Sequence, residues 1–128
     1  MAQVKLHIEV FYEKLKTEFP LLKELAVWAE WKLPGDSYVH TMVMSALAKE
    51  VINWAEHGNW QQTKELLNEV EDAFNNGEDT LIAFLGTDFT VTILECKNIP
   101  IRERIKELMG IATRNVYQMN LRGYSEPN

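Results

Sequence analysis

The sequence predicts an all-α protein, and three observations carry that prediction. Apolar residues recur at three- and four-residue spacing through most of the chain. Glycine and proline fall at the ends of those periodic stretches: Pro20, Pro34-Gly35, Gly58, Gly77 and Pro100. No pair of alternating segments is present that two strands need to pair. About six helices in antiparallel hairpins are expected, stacked as in HEAT-like arrays or closed as an orthogonal bundle. At 128 residues the chain suits one domain with its own core, placed at 1–121, with a frayed tail at 122–128.

The first helix spans Val4 to Phe19, with Val4, Ile8, Phe11, Tyr12, Leu15 and Phe19 along one side, and Pro20 breaks it. A shorter second helix runs from Leu21 to Leu33, with Leu22, Leu25, Ala26, Trp28 and Ala29 packing. Asp36 or Ser37 caps a third helix that reaches His57. Val39, Val43, Leu47, Val51 and Trp54 line its apolar side, where His40 also projects. Tyr38 and Met42 fall on its polar side.

The stretch from Trp54 to Cys96 is the most organised. Asn59 caps a helix whose stripe is Trp60, Thr63, Leu66, Leu67, Val70, Ala73 and Phe74. Asn75-Asn76-Gly77 ends it, because Asn and Gly tolerate the left-handed conformation of a C-terminal cap. Leu81 to Leu94 is apolar almost all round, the mark of a helix buried on both sides. Thr90-Val91-Thr92-Ile93 is β-branched, yet nothing is available to pair with it as a strand. Its one polar stripe is Asp88, Thr92 and Glu95. The two carboxylates either face a groove or meet Arg102, Arg104 or Arg114. A last helix begins near Pro100, lined by Ile101, Ile105, Leu108, Met109, Ala112, Val116 and Met119.

Charge is placed unevenly around a net of −6. Between Glu50 and Thr80 stand eight carboxylates and one lysine, a local −7; between Glu95 and Arg122 the balance is +3. Nucleic acid is a poor partner for such a chain, since neutralising phosphates needs a concentrated basic face. A basic protein is a better one. There is no apolar run long enough to cross a membrane. The first five residues lack a secretion-signal pattern, and Cys96 is the single cysteine. A cytoplasmic location is expected.

Chemistry-bearing motifs are absent. His7, His40 and His57 have no metal-binding spacing, the glycines form no phosphate loop, and the serines have no nucleophile context. No metal, cofactor or catalytic residue is therefore expected. Glu65, Glu69 and Asp72, with Glu78 and Asp79 after them, make an acidic face with almost no cation to offset it. Trp31 and Tyr38 are candidate aromatic anchors for a partner.

The segment from Trp60 to Glu95, an acidic amphipathic helix ending in Phe74-Asn75-Asn76-Gly77-Glu78-Asp79 and an apolar helix closing on Phe89-Thr90-Val91-Thr92-Ile93-Leu94-Glu95, resembles small all-helical bacterial proteins found as immunity partners of secreted toxins, or uncharacterised relatives of them. The resemblance covers about a third of the chain. It implies a HEAT-like stack that binds a cognate toxin domain, commonly a basic nuclease. Two other readings stay open: an adaptor holding a peptide in a groove read by Asp88, Thr92 and Glu95, and an enzyme using groove carboxylates with His40 as helper.

Overall fold

The computed structural model describes residues 4–35 and 37–124 and is all-α apart from one very small hairpin. Its elements are α1 (Ile8–Glu18), α2 (Pro20–Lys23), α3 (Val27–Glu30), β1 (Lys32–Leu33), β2 (Ser37–Tyr38), α4 (His40–Glu56), α5 (Trp60–Asn76), α6 (Asp79–Phe84), a π-helical turn (Leu85–Phe89), α7 (Thr90–Leu94), α8 (Ile99–Leu108) and α9 (Ile111–Tyr124). Of the two packings expected, the bundle is the one formed. In a solenoid each unit meets only its neighbours. Here α4 packs against α3, α5, α6, the π turn, α7 and α8, and α5 reaches α9. One core joins them, from Phe11, Tyr12 and Leu15 through Met44, Leu47 and Val51 to Leu66, Phe89, Ile105 and Tyr117.

The middle of the chain folds as its pattern demands. Asn59 accepts a bond from the Gln62 amide at the start of α5, and Leu66, Leu67, Val70 and Ala73 are buried. The β-branched tail of the following segment is helical, with Ile93 and Leu94 buried between α4 and α9.

Several boundaries differ from the sequence expectation. Helix α1 starts at Ile8 behind a His7 cap; Val4, expected in its stripe, is 93% exposed. Leu6 instead lies extended in a parallel bridge to Gly77, with its amide on the Asn76 carbonyl at 2.8 Å and its own carbonyl taking the Glu78 amide at 2.9 Å. Gly77 consequently ends α5 in an extended conformation (φ −83°, ψ 160°), not the left-handed one. A side chain there would strike the Ala73 carbonyl and Leu81. Glycine is required by close approach, not by handedness.

The second helix is two single turns, α2 and α3, held together by the Trp28 indole N–H on the Leu22 carbonyl at 2.7 Å. After it Lys32 and Leu33 pair with Tyr38 and Ser37, so a hairpin exists where none was expected. Ser37 is thus in a strand and caps nothing; Asp36, the other expected cap, lies outside the described residues. Helix α4 begins at His40 without a side-chain cap.

The last expected helix is two. Met109-Gly110 separates α8 from α9, and α9 continues to Tyr124, into the expected tail; residues 125–128 lie outside the described residues. The break is stitched to α5. Glu71 takes the amides of Ala112 (3.0 Å) and Thr113 (2.9 Å) and the Thr113 hydroxyl (2.8 Å), supplying from another helix the cap that α9 lacks locally. Two turns earlier Lys64 donates to the Leu108 carbonyl at the end of α8.

Candidate functional site

Four of the five expected acidic residues follow one another along α5 and round the corner into α6. Glu65 and Asp72 are exposed on α5, Glu78 is half-exposed after it, and Asp79 is exposed in the first turn of α6. Glu69, between Glu65 and Asp72, is partly engaged: Lys14 of α1 reaches it at 2.9 Å. That contact raises the Lys14 ammonium, first through the hydrogen bond to Glu69, against a smaller opposing effect of burial. The same corner gathers Glu18 of α1. Partial desolvation, then its hydrogen bond with Glu69 and the charge there, lift the Glu18 carboxyl above the ordinary range. Glu18 and Lys14 sit some fifty residues from Glu69 in sequence, and no local pattern announces that α1 lies beside α5.

The acidic row borders an open cleft of about 560 Å³ lined by Val4, Lys5, Leu6, His7, Val10, Asp72, Asn76 and Glu78. The Leu6–Gly77 bridge explains its floor. In paired extended segments, side chains alternate between faces. Leu6 turns to the core, while Lys5 and His7 share the other face with Asn76 and Glu78. His7 Nε2 is 3.6 Å from Glu78 and Nδ1 is 2.9 Å from Glu9. Asp72 accepts the Asn76 side-chain amide at 2.7 Å. Among the described residues no lysine or arginine lies within ion-pair distance of Asp72 or Glu78.

Trp31 is 39% exposed, as an anchor requires, but it belongs elsewhere. It lines a smaller groove of about 230 Å³ with Leu25, Met42, Ser45 and Lys49, sharing no residue with the acidic cleft. Tyr38 is a correction: it lies on β2, not on a helix, and is buried. Its ring meets Tyr12 and Trp28 edge-on at 5.6 and 5.5 Å, and Lys16 lies over the Trp28 ring at 4.8 Å. An inward-facing tyrosine of this kind belongs to the core, not to a contact surface.

The polar stripe Asp88, Thr92 and Glu95 does not meet the arginines offered to it. Arg102 donates to the Leu94 carbonyl, Arg104 stacks over Trp60 at 4.1 Å, and Arg114 caps the end of α8 through the Glu107 and Met109 carbonyls. Thr92 bonds the Asp88 carbonyl (2.6 Å) and faces Ser45 of α4 at 3.3 Å; Asp88 faces Thr41 at 3.5 Å and Thr87 at 3.1 Å. These two residues form a seam between helices. Glu95 is exposed beyond it.

His40 acquires partners that the sequence does not name. Tyr12 Oη is 2.8 Å from its Nδ1, and Glu9 is 3.6 Å from its Nε2. Tyr12 is fully buried, and burial, then the charges of Glu9 and Asp88, push its hydroxyl far above the ordinary range. No substrate reaches that hydroxyl, so the contact reads as core satisfaction. Among the described residues no three His, Cys, Asp or Glu side chains gather as metal ligands, and no helix is long and apolar enough to cross a membrane.

Comparison with protein-family models, with curated proteins and with solved structures finds no match to this chain.

Proposed function

We propose that this chain is a non-catalytic binding protein of the bacterial cytoplasm that neutralises a cognate toxin, its acidic face receiving a basic domain of that toxin. The observation carrying the reading is the exposed row Glu65, Asp72 and Asp79, with Glu78 half-exposed beside it, free of ion pairs to lysine or arginine among the described residues. A soluble helix ordinarily mixes signs to gain from pairs one turn apart. A surface of one sign forgoes that gain and instead accelerates encounter with the opposite sign. The resemblance of Trp60–Glu95 to immunity proteins supports the same reading.

The role of Glu69 differs from its neighbours. Lys14 holds it, so it contributes field more than a free contact. Trp31, in its separate groove, serves as anchor only to a partner broad enough to reach both surfaces.

The test is capture from a lysate of the bacterium that encodes the chain, at low and high salt. The expected result is one basic protein, lost or slowed at high salt, whose toxicity is suppressed on co-expression. Joint reversal of Glu65, Glu69 and Asp72 to lysine, with the helical circular dichroism unchanged, abolishes both capture and protection. Binding and protection that survive the reversal would exclude the acidic face as the contact.

A further inference from the structure

We infer that the cleft between the N-terminal segment and the end of α5 is a receptor for one cationic side chain, an arginine or lysine flanked by apolar residues, on an extended segment of the partner. The inference rests on the inhibitor reading for who the partner is, and on the cleft alone for what it recognises.

Its shape and chemistry are complementary to such a side chain. A long basic residue has an apolar stem and a charged head, and each seeks a different surface. Val4 and Val10, 93% and 55% exposed, are apolar walls on one side. Asp72 and Glu78 stand on the other, with no lysine or arginine nitrogen within ion-pair distance among the described residues. Asp72 is steadied by the Asn76 amide, which leaves its second oxygen to accept. Lys5 and His7 also line the cleft, and His7 lies between Glu9 and Glu78. With two carboxylates against Lys5, the lining favours a single basic residue over a polybasic run.

The backbone favours an extended occupant. Leu6 directs its amide and carbonyl to residues 76–78, so those of Lys5 point to the opposite edge. Among the described residues they carry no backbone bond. An extended chain laid along that edge gains main-chain bonds while its side chains alternate, the arrangement of strand addition.

The experiment is an amide-shift titration by NMR with acetyl-Val-Arg-Val-amide, alongside the citrulline peptide, which has the same shape without the charge. Shifts confined to residues 4–10 and 72–78 are expected for the arginine peptide. Binding weakens roughly fivefold or more with Asp72→Asn and Glu78→Gln together, the scale of one or two partly exposed ion pairs, and equally with citrulline. Shifts elsewhere, no shifts at millimolar peptide, or equal binding of the citrulline peptide would overturn the inference.

A second arm separates it from the functional reading. Val10→Lys fills the cleft at an exposed position with a like charge, whereas Glu65→Lys with Asp79→Lys alters the row outside it. A captured partner lost only with the latter pair refutes the cleft and keeps the acidic face. Peptide binding in the cleft with no partner captured keeps the cleft and removes the inhibitor reading.

Discussion

Glu71 shows how one side chain can decide a boundary. It lies on α5 among the acids that make the middle of the chain negative, yet its carboxylate caps α9. Burial alone would raise its carboxyl; the amides of Thr113 and Ala112, the Thr113 hydroxyl and Asn75 outweigh that and hold it below the ordinary carboxylate range. A lowered folded-state value means stability that is present above the unfolded carboxylate value, about 4.3, and lost as pH falls through the folded one. Glu71→Ala is expected to lower unfolding free energy by about 0.5–2 kcal/mol, the range for a lost cap. Urea midpoints at neutral and acid pH check it: Glu71→Gln should remove part of the acid sensitivity. Gly110 is tied to the same group, because a Cβ there would overlap the Glu71 side chain. Gly110→Ala should cost roughly 1–3 kcal/mol, as overpacking does, and clearly less in a Glu71→Ala background. Additive effects in the double variant would refute the clash.

Among elements, the segment from Asp79 to Leu94 is the least regular, and its irregularity has a partner. The Thr90 amide bonds back to Leu85, a five-residue step, which displaces the Gly86 carbonyl from the ordinary ladder. The Thr90 hydroxyl and the Asn120 side-chain amide, at 2.7 Å, take that carbonyl, and Asn120 also meets the Thr90 hydroxyl at 2.7 Å. Asn120→Leu leaves the widened turn unsupported from α9. The Gly86 carbonyl keeps the Thr90 hydroxyl, so a loss of about 0.5–1.5 kcal/mol is expected, the net worth of a hydrogen bond, with hydrogen exchange faster in residues 85–94 than in α5. Uniform exchange across both segments would show that the π turn does not depend on α9. The apolar circumference of this helix is legible in the sequence because it records burial on two sides. The extra residue in its turn is not, since it is set by where Asn120 arrives from another helix.

For the whole molecule, the centre is α4, which touches most other helices, and not the acidic hairpin on which the sequence pattern is clearest. Amphipathic contrast is strongest for a surface helix such as α5 and weakest for a central one. The acidic row is a surface property, so it adds little to stability. Glu65→Lys with Asp79→Lys should leave the unfolding free energy within about 1 kcal/mol of the parent, most of it from the lost acid in the first turn of α6. It should slow partner association most at low salt, where steering is strongest. A large stability change measured by urea titration would show that these acids are structural.

The sequence by itself determined the all-α class, the span and cap of α5, the buried helix after it, the exposure of Glu65, Asp72 and Asp79, and the charge imbalance. Each of these is written in neighbours three or four residues apart, or in residue type alone. Tertiary structure alone decided that Tyr38 is buried, that His40 meets Tyr12, that Lys14 holds Glu69, that Glu71 starts α9, and that Leu6 bridges Gly77 to floor a cleft. Each of those rests on at least one contact between residues more than 25 positions apart. Such a contact depends on where two helices cross, which periodicity along one helix does not specify.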